Sequence, residues 1–139
     1  MDRDSRLMAI AGVILLTLSL ANGFLVHALA QSQQALSAHL VGLIGSGLLI
    51  ALASLWPRLK LGSRASTAAA ILAVYGFGVG WFVNFLAAVT GRFGIFPVSV
   101  SAAPGGGLQD VFISLGLASV ALALLALCAL LLRGLVGRG

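Results

Sequence analysis

The sequence predicts an all-α protein, a bundle of four helices that cross a membrane. Apolar residues make up 60% of the 139 residues, charged residues only 8%, and the mean hydropathy is +1.15. Soluble domains carry about 25% charged residues, so water is a poor solvent for this chain. Helices are the expected spanning elements because a helix pairs its own backbone N–H and C=O groups, for which hydrocarbon offers no partner.

Four apolar stretches are each long enough to cross the hydrocarbon core, which takes about 20 helical residues. They run over about residues 7–30, 36–56, 66–90 and 111–132, and none contains Asp, Glu, Lys or Arg. Pro57 and a basic cluster follow the second stretch, whose last residue, Trp56, is expected to anchor at the membrane interface. The chain is therefore predicted to form a single four-helix membrane domain over residues 1–139.

The basic residues predict the orientation, because they stay on the cytoplasmic side during insertion. Seven of the eight lie before the first stretch, between the second and third, or after the fourth, and the other is Arg92. Both termini are thus predicted to be cytoplasmic. This distribution makes no continuous basic stripe, which disfavours nucleic-acid binding. Residues 28–30 (Ala-Leu-Ala) resemble a signal-peptide cleavage site, but the preceding apolar run is longer than a signal core, so we expect the first helix to be retained.

Few side chains outside the cytoplasmic segments can titrate or bind a metal. Four ionisable residues lie toward the opposite side, and three further residues carry polar or reactive groups within the helices. These candidates are His27, His39, Arg92 and Asp110, followed by Tyr75, Asn84 and Cys128. Ionisable groups are costly to place in a bilayer, so such residues are candidates for function. The single cysteine excludes an internal disulfide.

His39 lies in the first turns of the second helix, and Gly42 one turn later is expected to leave space beside the imidazole. A neutral imidazole in this place could ligate a metal or haem, or transfer a proton. The alternative is an interfacial hydrogen-bonding residue. His27 is expected to have such an interfacial role, and two histidines without a third ligand do not make a zinc site.

The remaining polar candidates have ordinary structural interpretations as well. Asp110 at the start of the fourth helix either caps the positive end of the helix dipole or, with Arg92, sets the polarity of a pocket that opens outward. Tyr75 and Asn84 are nine residues apart on the third helix and so point in different directions. Each is predicted to hydrogen-bond a neighbouring helix.

Small residues four apart occur at Gly42/Ser46 and at Gly76/Gly80, a spacing that lets helices approach closely. We expect packing inside the bundle; the alternatives are a subunit interface or a slot for a flat ligand. The loop before Asp110 contains three consecutive glycines, but it lacks the strand and the Lys-Ser/Thr pair of a phosphate-binding loop. It is predicted to cap the outer mouth of the bundle.

Three segments resemble the bacterial hydroxylaminobenzene mutases. They are residues 23–26 (Gly-Phe-Leu-Val), 36–42 (Leu-Ser-Ala-His-Leu-Val-Gly) and 55–59 (Leu-Trp-Pro-Arg-Leu). The related styrene oxide isomerases share the Ala-His element, and residues 75–76 (Tyr-Gly) and 109–112 (Gln-Asp-Val-Phe) are similar too. The likeness runs in order over about residues 23–130, across all four predicted helices.

The resemblance implies a small four-helix isomerase of the bacterial cytoplasmic membrane. Styrene oxide isomerases are trimers that bind haem b between subunits through the histidine of this element. By resemblance, His39 is the axial ligand of the iron, with Gly42 beside it at the cofactor. The implied substrate is a small apolar epoxide or aryl hydroxylamine, rearranged by Lewis-acid activation without net redox change. Tyr75, Asn84 and Asp110 are then the candidate catalytic residues.

Two positions depart from the pattern of these relatives. Six residues after the histidine they carry an asparagine, here Gly45, and Gly80 stands where a mutase-like third helix has another. The loss of both amides supports a second hypothesis, a haem-binding or scaffold protein without catalysis. A third, a small proton-coupled transporter, is disfavoured because such exporters carry a glutamate in the first helix and residues 7–30 contain no acid.

Overall fold

The computed structural model describes residues 2–29, 31–91 and 107–137, apart from the side chains of residues 109 and 110. Within these residues there is no strand, and the helices are α1 (Arg3–Leu25), α2 (Ser32–Leu55), α3 (Ser63–Thr90) and α4 (Leu108–Val136), with a 3₁₀ turn at Trp56–Arg58. All four helices contain a stretch that is long and apolar enough to cross a membrane. The predicted fold class is therefore confirmed.

The helices begin earlier than the apolar stretches do, because polar residues form their first turns. Asp2 caps α1, and its carboxylate accepts a hydrogen bond from the backbone N–H of Ser5 at 2.7 Å. In α2 the polar residues 32–34 (Ser-Gln-Gln), which precede the second apolar stretch and are expected from their polarity to link the first two helices, are helical. Gln34 therefore lies in the first turn of α2, where its side chain bonds Asn84 of α3.

The ends of the helices follow local backbone chemistry. α2 ends at Leu55, and the next three residues, Trp56–Arg58, form a 3₁₀ turn, because Pro57 has no N–H to continue the α-helix. α3 ends at Gly91, whose φ of 69° is the left-handed conformation that glycine adopts without strain. α1 ends at Leu25, earlier than predicted, so His27 lies exposed in the turn that follows it.

The helix order in space is set by antiparallel packing around α3. Ser5 bonds the carbonyl of Ala53, and Asn22 bonds that of Ala35, so α1 and α2 run antiparallel along their length. α3 packs against α1, α2 and α4, whereas α4 packs chiefly on α3. A groove is thereby left between α2 and α4, with α3 as its floor.

The core is rich in alanine, and it is largest toward the end of the bundle that carries most of the basic residues. Nine buried residues form it, and a smaller cluster joins α3 to α4. The two sets are Met8, Leu15, Leu49, Ala53, Trp56, Ala69, Ala70, Ala73 and Leu127, and Val83, Ala87 and Ile113. Alanine lets the helix axes approach closely, which favours association where lipid removes the hydrophobic drive between helices.

A polar network joins three helices at this basic end. The indole N–H of Trp56 donates to the Ser66 hydroxyl at 3.0 Å, and that hydroxyl donates to the Asp4 carboxylate at 2.7 Å. Trp56 is only 3% exposed, so the expectation that it anchors at the membrane interface is wrong. Its indole packs inside the bundle because the N–H finds a partner there.

We expect Ser66→Ala to lower the stability of the folded protein by about 1–3 kcal/mol, because the buried indole N–H and the carboxylate both lose their partner. Denaturation in mixed micelles, followed by tryptophan fluorescence, measures this change. Ser54→Ala is the matched control, since the Ser54 hydroxyl is exposed and bonds only the carbonyl of Ile50 in its own helix. Equal stability of the two variants would contradict the assignment.

Candidate functional site

His39 of α2 and Ser19 of α1 are joined by two reciprocal hydrogen bonds. The imidazole Nδ1 lies 2.7 Å from the Ser19 carbonyl oxygen, and the Ser19 hydroxyl donates to the His39 carbonyl at 2.6 Å. A carbonyl oxygen can only accept, so Nδ1 carries the proton in this bond and Nε2 carries the lone pair. The pair therefore fixes both the orientation of the ring and its tautomer.

Gly23 provides the space that the imidazole occupies. A Cβ atom at Gly23 would lie 2.7 Å from His39 Cε1 and 2.9 Å from Nδ1, closer than real contacts allow. Gly42 does not have this role, contrary to the expectation from sequence. A Cβ there would meet the Ser19 hydroxyl and Trp81 Cδ1, both at 2.6 Å, so Gly42 serves close packing of three helices.

The free edge of His39 faces the outer surface of the bundle. The ring is half-buried, and Nε2 has no hydrogen-bond partner among the described residues. Large apolar side chains next to Gly23 and His39 are exposed: Phe24, which follows Gly23, at 90%, and Leu36, three residues before His39, at 47%. Nε2 thus offers a lone pair in an apolar setting that is open to lipid, to a ligand or to a second subunit.

A second concave surface is the groove between α2 and α4, which we call the α3 groove. Its lining is Val41, Ile44, Gly45, Gly76, Phe77, Gly80, Asn84, Leu117, Val120 and Leu124. Asn84 is the one polar side chain in this set. The groove has room for a methyl group at Gly80, since a Cβ there would meet only ordinary contacts, 3.4 Å from Val120 and 3.9 Å from Val41. Such a surface suits a small apolar molecule with one polar end.

The Asn84 amide is held by two hydrogen bonds. Its Nδ2 donates to the Gly80 carbonyl at 2.8 Å, and its Oδ1 accepts from Gln34 Nε2 of α2, also at 2.8 Å. Tyr75 lies elsewhere on α3, 41% exposed, and its hydroxyl is 2.9 Å from the Ser119 hydroxyl of α4. Both residues bond a neighbouring helix, as the spacing predicts, and they do not share a site.

The other predicted site residues are not brought to His39 by the described part of the chain. Arg92 and the side chain of Asp110 lie outside the described residues, and so does their predicted pairing; the backbone of Asp110 belongs to the first turn of α4. His27 is exposed in the turn after α1. The described residues contain no group of three or more His, Cys, Asp or Glu side chains that could hold a metal ion. A site of several protein ligands is therefore not built here, whereas ligation by one histidine needs no such group.

Sequence reasoning missed Ser19, Gly23 and Gln34. Ser19 and Gly23 are small residues four apart on the first helix, the same signal that was noted for the second and third helices. Gln34 gave a weaker signal, because its polar neighbours suggested a link and its contact to Asn84 is fifty residues away. Periodicity alone does not reveal a partner at that separation.

Comparison with known proteins places the chain in a family. The family described as styrene oxide isomerase matches residues 4–136. The hydroxylaminobenzene mutase HabB of Ectopseudomonas oleovorans is 38% identical over 125 residues, which cover 89% of this chain and 76% of that protein. No solved structure matches the chain. The match covers all four helices and includes His39, so this chain belongs to the styrene oxide isomerase family and is an intramolecular isomerase of a membrane.

Proposed function

We propose that this isomerase rearranges a small apolar aryl hydroxylamine or epoxide, with haem b as cofactor and His39 as its axial ligand. The names of the relatives support the substrate classes, since one is a hydroxylaminobenzene mutase and the family is named for styrene oxide. Both substrates pair an aromatic body with one small polar group that contains oxygen, a hydroxylamine or an epoxide. The apolar lining of the α3 groove suits the aromatic body, and the Asn84 amide suits the polar end.

One observation carries the assignment of His39: its Nδ1 is engaged by the Ser19 carbonyl while Nε2 stays free. Histidines that ligate metals usually donate their other ring N–H to a carbonyl or carboxylate, which fixes the tautomer and raises the basicity of the ligating nitrogen. An axial histidine of a haem needs one such nitrogen and an apolar approach. The residues around His39 fit this group.

The chemistry that haem iron supplies when bound is that of a Lewis acid, which polarises the substrate's bond to oxygen. The chain's own residues orient the imidazole, exclude water and bind the substrate. The Ser19 carbonyl and the Gly23 backbone hold the imidazole in one orientation. The apolar walls of the α3 groove exclude water, which would otherwise screen the developing charge. Asn84 holds the polar end of the substrate through its remaining N–H. The substrate's atoms are rearranged, with none gained or lost.

A homo-oligomer is part of this proposal. The His39 ring packs on α1, whereas the α3 groove lies on another face of α2, so one chain by itself does not join the two. The trimer that the resemblance implies, with haem between subunits, is an arrangement in which both can serve one substrate. We also infer cytoplasmic termini, since Arg3, Arg6, Arg58, Arg64 and Arg133 all belong to the same end of the bundle.

The proposal predicts that protein purified in detergent after expression with ample haem shows a Soret band. It also predicts conversion of N-phenylhydroxylamine or styrene oxide into an isomer of the same mass, without an added oxidant or reductant. Absorption spectroscopy and mass spectrometry of the products measure the two properties. Colourless protein that still isomerises either substrate would overturn the haem assignment, and haem-loaded protein that converts neither would overturn the substrate classes.

A further inference from the structure

Gln34 and Asn84 form a directed chain of hydrogen bonds that ends on a backbone carbonyl. Gln34 donates to Asn84 Oδ1, and Asn84 donates to the Gly80 carbonyl, both at 2.8 Å. Because the carbonyl can only accept, the nitrogen of the Asn84 amide must face Gly80 and its oxygen must face Gln34. Gln34 must then present its own nitrogen. Chemistry therefore allows one orientation of each amide.

This chain determines what Asn84 can offer in the α3 groove. Its amide nitrogen has two hydrogens, of which one is used by Gly80. The other hydrogen remains for a ligand, and Asn84 is the one polar side chain among the described residues that line the groove. The remaining N–H of Asn84 can donate to a ligand that has an acceptor oxygen at its polar end. A ligand whose polar end carries only a hydrogen-bond donor would find no partner in this N–H.

Without Gln34 the Asn84 amide keeps only the bond to its own helix. With the bond to Gly80 alone, the Asn84 oxygen is unpaired and the amide is free to change rotamer. The second bond, from Gln34 of α2, fixes the amide between two helices. Gln34 is only 9% exposed and lies in the first turn of α2, so its side chain is itself held by the bundle. The precision of the contact thus depends on a residue that does not line the groove.

We infer that Gln34 is a positioning residue of this isomerase, which acts through Asn84 to orient the acceptor end of the substrate. The inference rests on the proposed function, which seats the substrate's polar end at Asn84. It adds a determinant of specificity that lies on a different helix from the group it controls. The class of substrate selected is a small aromatic molecule with a hydrogen-bond acceptor oxygen at one end.

Gln34→Leu removes the donor at similar volume and is expected to raise KM about tenfold, because the Asn84 oxygen loses its partner and the amide is no longer held in one orientation. Gln33→Leu is the matched control, because Gln33 is the exposed neighbour and only its backbone carbonyl is bonded. In an Asn84→Leu background, Gln34→Leu is expected to change KM no further, because the two residues act as one unit. A purely structural role of Gln34 would instead leave KM unchanged in the single variant.

A second measurement does not depend on turnover. The chain has two asparagines, Asn22 and Asn84, so selective ¹⁵N-asparagine labelling gives two side-chain amides, of which Asn84→Leu removes one. Gln34→Leu is expected to shift the Asn84 amide resonance, and Gln33→Leu to leave it in place. An unmoved resonance, or an unchanged KM in an active protein, overturns the inference alone. Absence of turnover in the unmodified chain overturns the proposed function instead.

Discussion

His39→Ala is expected to abolish the Soret band and to lower the rate of isomerisation about a thousandfold. The variant removes the imidazole whose Nδ1 is bonded to the Ser19 carbonyl and whose Nε2 has no partner among the described residues. A Lewis acid contributes several kcal/mol to the stabilisation of transition-state charge, and each 1.36 kcal/mol is a factor of ten in rate. Absorption spectra and initial rates with N-phenylhydroxylamine and styrene oxide measure both effects.

His27→Ala is the control for this variant, since His27 is the chain's other histidine and is exposed in the turn after α1. It should keep the band and the rate of the unmodified protein. Haem binding that survives in His39→Ala, or that is lost in His27→Ala instead, would contradict the assignment of the ligand.

Gly23→Ala is expected to weaken haem binding and lower the rate about 10- to 100-fold, the range found when groups that orient a metal ligand are changed. The added methyl group would lie 2.7 Å from His39 Cε1, so the imidazole must move. Movement breaks the Nδ1 bond to Ser19, which holds the tautomer with the lone pair on Nε2. Titration of haem into the purified variant, together with its Soret maximum, measures the displacement.

Gly47→Ala makes the same chemical change where nothing lies within 4 Å of the new atom. Both substitutions raise helix propensity equally, so any difference between them reports the contact with His39. If Gly23→Ala bound haem as tightly as Gly47→Ala, the close approach of α1 to the imidazole would have no functional meaning.

Much of the fold could be predicted from composition, because the bilayer imposes its requirement on each helix separately. A spanning helix must be apolar over about 20 residues whatever its neighbours are, so the four stretches are visible without knowledge of packing. Their ends were less predictable. The polar first turn of α2, which contains Gln34, is helical because backbone bonds, such as that from the Ala35 N–H to the Gln31 carbonyl, extend the helix beyond its apolar part.

His39 is a candidate from the sequence alone, since an imidazole within a membrane helix is costly to bury. The glycine that packs against its ring could not be predicted from the sequence. Gly42 and Gly23 are both small residues near the histidine, and only the rotation of α1 against α2 decides which of them meets the ring. That rotation results from many side-chain contacts along both helices, such as Ser5 with Ala53 and Asn22 with Ala35.

The amino-acid sequence by itself determined that this protein has four spanning helices, which end of them is basic, and which histidine lies on the second helix. These are properties of single segments and of their solvent. Only the tertiary structure decided that Ser19 fixes the tautomer of His39 and that Gly23 leaves room for its ring. It also decided that Gln34 bonds Asn84 and that Tyr75 bonds Ser119, away from His39 and Asn84. Such pairings join residues that are distant in sequence, and they depend on the register and rotation of whole helices, which no single segment encodes.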